Sequence, residues 1–221
     1  MKLYGFNFYM RSTKVLIAAE YAGVQITPVD FNPFAATPEA LQDFKKKNPN
    51  GLVPTLETPE GFIYESNAIL RYVARYNDDS KLYGSNDFER ALVDQYLDWT
   101  ALTLEPALGG VLIPVVGLSA YDKTKYDQSL EALKKALRIL DDRLKQSKYL
   151  AGDSLTIADI HVVADLALAY RFLFDEKFRK PFHNLTKYFE TVANEANFVK
   201  VIGKPVLAKT ALQPFTGDLK A

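Results

Sequence analysis

The sequence predicts a small α/β domain followed by an all-helical one, and three observations carry that expectation. Strand and helix signals alternate as β-α-β-α-β-β-α up to about residue 76, with a proline heading the third strand. A polar stretch, Asn77 to Asn86, then interrupts the pattern with Asp78, Asp79, Ser80, Gly84 and Ser85. Beyond it strand signals cease and only helical periods remain. The expected division is a domain over residues 1–77 and a helical domain over 86–221 that includes a tail without periodicity from Lys204.

In order, Lys2 to Phe6 reads as a strand and Asn7 to Arg11 as a loop. Ser12 is placed to cap a helix carrying Val15, Leu16, Ala18, Ala19 and Tyr21, closed by Gly23. Val24 to Val29 alternates like a strand, and Pro28 assigns it to a sheet edge. Thr37-Pro38-Glu39 combines a hydroxyl cap, a proline in the first turn and an acid, so a helix begins there and ends at the lysine run 45–47. Thr55-Leu56-Glu57 and Phe62-Ile63-Tyr64 are strands folded together by Pro59-Glu60-Gly61, and a helix opens at Glu65-Ser66 with Ile69, Leu70 and Val73 on one face. This element order is that of a thioredoxin-like fold.

In the second half, Phe88 to Leu104 is helical by period, and Pro106 and Gly109-Gly110 are expected to kink or break it. Pro114 to Asp122 reads as a loop. Lys123 to Gln146 is the clearest amphipathic helix, with Leu130, Leu133, Leu137, Leu140 and Leu144 on its apolar face. Thr156 and Asp159 form a capping-box start. The helix they open is apolar nearly all round and therefore central to a bundle, with Asp159 bonded to backbone and His161 packed. Two shorter helices, 182–194 and 196–203, follow.

Composition excludes several functions. Twenty-seven basic and 27 acidic residues cancel, so no net field favours nucleic acid or an anionic membrane. With no cysteine there is no disulfide, thiolate metal site or cysteine nucleophile, and two histidines, His161 and His183, make a histidine-centred metal site improbable. The N-terminus lacks the apolar core of a signal peptide, and the most apolar segment, 157–173, holds too many ionisable groups to span a membrane. A soluble, cytoplasmic protein is expected.

The chemistry concentrates between Asn48 and Ile69. Val53 precedes Pro54, and a cis bond there would hold the Val53 amide open to a peptide-like ligand. Ser66 and the helix start suit a carboxylate, and Glu65 suits the matching ammonium, though the pair also reads as a plain cap and dipole partner. A bound thiol needs a donor or positive potential to ionise. Ser12 is the leading candidate for that role, beside Tyr9 and Arg11, each of which also has an ordinary surface or capping role.

Gly51-Leu52-Val53-Pro54, Glu65-Ser66-Asn67-Ala68-Ile69 and the run from Leu150 to Asp159 resemble the glutathione transferase family over both domains. Leu16 to Val24, Leu56 to Gly61, Leu82 to Ser85, Phe178-Arg179-Lys180-Pro181-Phe182 and the segment from Asn197 to Gly203 are similar to the N-terminal domain of the elongation factor 1-gamma family. There a lysine-rich linker and a further domain follow the transferase-like region, so the resemblance implies an excised domain or a shorter relative. It implies the glutathione transferase fold, with Val53, Glu65 and Ser66 at glutathione-binding positions and Pro54 at the cis-proline. Leu52 stands where many active members have a polar residue. Arg11 and Lys14 match the gamma-type loop, and Ser12 lies near the activating serine of several classes. The implied function is a scaffold anchoring the nucleotide-exchange subunit of elongation factor 1 as a homodimer, with no cofactor and glutathione as ligand or substrate. The alternatives are an active transferase conjugating glutathione to electrophiles, or a domain that only dimerises.

Overall fold

The computed structural model describes residues 1–6 and 9–217. Strands β1 (Lys2–Gly5), β2 (Thr27–Asp30), β3 (Thr55–Thr58) and β4 (Gly61–Tyr64) form one sheet in the order β2-β1-β3-β4. β1 runs parallel to β2 and antiparallel to β3, and β3 pairs antiparallel with β4. Leu3 sits opposite Leu56 across the central pair, and both are buried. Pro28 falls on the edge strand, where its missing N–H removes nothing from the ladder. Helices α1 (Met10–Ala22) and α3 (Ser66–Tyr76) pack together, burying Val15, Ile17, Ala18, Ile69, Leu70 and Val73. Helix α2 (Pro38–Phe44) starts as expected, with the Thr37 hydroxyl accepting from the Ala40 N–H at 3.2 Å.

β2 begins at Thr27 rather than Val24, because the Val24 N–H closes α1 by donating to the Ala19 carbonyl at 2.9 Å. Gly23, at φ +66°, makes the left-handed turn that this closure requires. Asn7 and Phe8, in the expected loop after β1, lie outside the described residues.

A short 3₁₀ turn (Asp78–Ser80) leads to the helical half: α4 (Asp87–Trp99), α5 (Glu105–Val115), α6 (Lys123–Leu144), α7 (Ile157–Phe172), α8 (Glu176–Arg179), α9 (His183–Ala193) and α10 (Ala196–Ile202). The expected break at Pro106 becomes a π turn over Thr100–Leu104, in which the Glu105 N–H donates to the Thr100 carbonyl. Gly109 and Gly110 do not break α5. A Cβ on Gly110 would lie 2.2 Å from the Ser129 hydroxyl, so its smallness lets α5 and α6 approach. Pro114 also lies inside α5, which moves the start of the expected loop to Val116. The four-residue α8 was not visible as a period.

α7 is buried along its length, with Ile157, Ile160, Val162, Val163 and Leu166 inaccessible, and it packs on α1 to join the two halves. After α10 the chain is irregular yet held. The Ala208 and Leu212 N–H groups donate to Tyr170 and Phe172 at 2.7 and 2.8 Å, and the Phe215 N–H donates to Pro114 at 3.0 Å.

Candidate functional site

The Val53 loop is built by Asn48. Its buried amide donates to the Leu52 carbonyl at 2.7 Å and to the Thr55 hydroxyl at 3.1 Å, while its side-chain oxygen accepts from the Asn50 N–H at 3.0 Å. Gly51, at φ +66°, turns the chain between them. Val53 lies outside the β3 ladder, and among the described residues its N–H and carbonyl form no hydrogen bond. The Val53–Pro54 bond is cis. Leu52 beside it is 48% exposed.

The start of α3 stands at the end of β4. Glu65 occupies the N-cap at φ +68°, ψ 111°, a conformation that a residue with a Cβ rarely adopts and that concentrates at functional sites. Neither its carboxylate nor the Ser66 hydroxyl caps the helix, so the first-turn N–H groups have no side-chain partner among the described residues. Ser66 is the first helical residue rather than the cap, and its hydroxyl has no partner among the described residues. An exposed acid, a free hydroxyl and uncapped amides together suit a group carrying both a carboxylate and an ammonium.

The start of α1 departs from expectation. Tyr9, not Ser12, is the N-cap, because the helix begins at Met10 and the Tyr9 carbonyl accepts from the Ser12 and Thr13 N–H groups at 2.9 and 3.0 Å. Ser12 sits inside the first turn, 5% exposed, and its hydroxyl has no partner among the described residues. It packs so closely on β1 that a Cβ at Gly5 would lie 2.3 Å from its oxygen. Arg11 is taken up by Glu105 of α5, with Nη2 and Nε 2.6 and 3.1 Å from Oε2.

That ion pair is the outer edge of a buried polar cluster between the two halves, which the sequence had not revealed. Lys14, fully buried, places Nζ 2.5 Å from His161 Nε2, 3.1 Å from Asn67 Oδ1 and 3.5 Å from Glu105 Oε1. His161 Nε2 also lies 2.9 Å from Glu105 Oε1 and 3.2 Å from Asp165 Oδ2. Burial pushes Lys14 below the usual lysine range, opposed by the charges of Asp165 and Glu105. The ligand atoms of Glu105, His161 and Asp165 lie within 4.8 Å of one another, a spacing a metal could bridge, but Lys14 itself supplies positive charge there. Asn67 ties the cluster to the start of α3 and donates to the Leu97 carbonyl of α4 at 2.9 Å. Arg11 and Lys14 are visible as a basic pair in the sequence. Their partners Glu105 and His161 stand more than 90 residues away and read there as ordinary helix residues.

Burial alone would raise Glu105, but the His161 hydrogen bond and the charges of Lys14, His161 and Arg11 hold it well below the usual carboxylate range. A carboxyl depressed in the folded state stabilises above its unfolded value and loses that contribution as pH falls toward the folded one. The urea midpoint is therefore expected to fall progressively below about pH 5, and Glu105→Gln to flatten that fall. An unchanged acid limb in the variant would show that Glu105 is not the responsible group.

A model of the glutathione S-transferase N-terminal domain matches residues 1–75, and one of the C-terminal domain matches residues 93–196. A probable elongation factor 1-gamma 1 of Arabidopsis thaliana is 40% identical over 210 residues, 91% of this chain and 50% of that protein. The chain thus spans about half the length of the curated relatives it matches. The GST-like domain of elongation factor 1-gamma from Saccharomyces cerevisiae has the same fold, with a TM-score of 0.81 at 23% identity over 96% of this chain and 97% of that one. A glutathione S-transferase-I bound with lactoylglutathione gives a TM-score of 0.77 at 30% identity, over 90% of this chain and 97% of that one. The four-stranded mixed sheet followed by a helical half agrees with these matches: the chain belongs to the glutathione S-transferase family and, within it, is similar to the elongation factor 1-gamma proteins.

Proposed function

We propose that this chain is a transferase-fold scaffold of the elongation factor 1-gamma kind, which anchors the nucleotide-exchange subunit of elongation factor 1 in the cytoplasm and retains a glutathione cradle at Val53, Glu65 and Ser66. The observation that carries this over catalysis is the state of the thiol-activating candidates. The Ser12 hydroxyl is buried against β1 and the Arg11 charge is matched by Glu105, while the cradle itself stays open. Capture of the exchange subunit's N-terminal region by the full chain tests the scaffold, and absence of a complex sinks it. A homodimer through exposed residues such as Phe62 and Tyr64 is part of the proposal and is read by solution mass.

The second reading, a transferase acting on electrophiles, is favoured by the strained Glu65 and the uncapped α3 start. Ser66→Ala is expected to weaken glutathione binding by about tenfold in calorimetry, as for a lost hydrogen bond to a charged group. Turnover of a chloronitrobenzene substrate that Ser12→Ala abolishes would restore catalysis. On the scaffold reading Ser12→Ala instead leaves function intact and stabilises by up to ~1 kcal/mol, because it removes a buried hydroxyl that has no partner among the described residues.

A further inference from the structure

The Phe178-Arg179-Lys180-Pro181-Phe182 motif builds a feature unrelated to the cradle. A groove of about 650 Å³ elsewhere, between β2, α1 and α10, is bordered by an edge strand that Pro28 blunts. The groove at this motif, about 640 Å³, differs in charge. It runs between α6 and the α8–α9 corner, lined by Leu173, Phe178, Pro181 and Phe182 and by Lys134, Lys135, Arg138 and Lys177, with Asp175 as the only acid among the lining residues. In a chain whose charges cancel overall, four cations against one carboxylate is a local departure.

The uses of these charges differ. Arg138 is structural: it donates to the Pro181 carbonyl at 2.8 Å and lies over the Phe182 ring at 5.0 Å. Lys134 is paired with Glu131 at 2.7 Å, and Asp175 caps α8 by accepting from the Phe178 N–H at 2.9 Å. Lys135 and Lys177 are exposed, and among the described residues neither has a carboxylate within salt-bridge distance. Phe178 stacks on Phe174 with centroids 4.5 Å apart, so the rings form a packed wall rather than a platform for nucleic-acid bases. An apolar floor with two cations on its rim, Lys135 and Lys177, that have no carboxylate partner among the described residues complements apolar side chains flanked by acids.

We infer that this groove docks an acidic, amphipathic peptide segment of a partner protein, its apolar side chains against Phe178 and Pro181 and its carboxylates beside Lys135 and Lys177. The inference does not rest on the scaffold reading, because the probe that tests it is not the exchange subunit. A fluorescein-labelled peptide of Asp, Glu and Trp is titrated with the full chain and followed by anisotropy. Saturable binding is expected, weakened about tenfold or more in the Lys135→Glu, Lys177→Glu double variant and weakened by salt. Replacing Trp by Ser in the peptide is expected to weaken it similarly. Both lysines are exposed, so circular dichroism of the variant is expected to be unchanged. No binding, or equal binding by variant and parent, overturns the inference, as does indifference to the Trp replacement. Preferential binding of a single-stranded RNA oligonucleotide, lost in the same variant, would overturn it in favour of a nucleic-acid surface.

Discussion

Lys14→Met is expected to destabilise the protein by about 3–5 kcal/mol, the scale found when one partner is removed from a buried charge pair. Methionine keeps much of the length and apolar volume of the side chain, so the loss reports charge rather than a cavity. What remains is Glu105, still held by Arg11, and Asp165, 4% exposed, whose near cation is gone. For a chain of this size the melting temperature should drop by roughly 6–20 °C. Adding Asp165→Asn should return part of the loss, about 1 kcal/mol or more, because the two groups face one another through His161. Urea titration of the two single variants and the double variant measures this. A single-variant loss below about 1 kcal/mol, or strict additivity, would mean that Lys14 is not the cluster's countercharge.

Asp159→Ala is expected to have a comparable effect by a different route. Its two oxygens accept from the Leu150 N–H at 2.9 Å, the Thr156 N–H and hydroxyl at 2.8 and 2.9 Å, and the Tyr188 hydroxyl at 2.6 Å, all in a site closed to water. Alanine leaves these donors buried and unpaired, and a loss of about 3–5 kcal/mol follows even after local relaxation. The order of a series makes the reading testable. Tyr188→Phe, which removes one donor and leaves the carboxylate bonded, should cost about 1–2 kcal/mol, with Asp159→Asn between the two. If Tyr188→Phe proved as damaging as Asp159→Ala in thermal unfolding, packing of the ring rather than the carboxylate network would be dominant.

These two positions also mark how far the residues could be read without the fold. Asp159 was legible because its main partners are local: Thr156 stands three residues before it, and a hydroxyl and acid at that spacing have one common geometry at a helix start. The strand head at Pro54 and the helix start at Ser66 were legible for the same reason. Val53-Pro54 and Glu65-Ser66 are short motifs whose chemistry lies in their own backbone and side chains, and the alternation of strand and helix around them follows from side-chain periodicity. Where sequence reasoning went astray over packing, the deciding partner lay on another element. Gly109-Gly110 reads as a helix break until Ser129 of α6 is seen to fill the space a side chain would need. Ser12 reads as an exposed cap until Gly5 of β1 is found against its hydroxyl.

The sequence by itself therefore determined the two-domain fold class, the β-α-β-α-β-β-α order of the first half and the structural role of Asp159. Only the tertiary structure decided that α3 begins uncapped on a strained Glu65, that Ser12 is buried, and that Arg11 and Lys14 are matched by Glu105, His161 and Asp165. The physical reason is that periodicity and capping act within a few residues. Burial and charge pairing arise where α1, α5 and α7 converge, and no local pattern records that convergence.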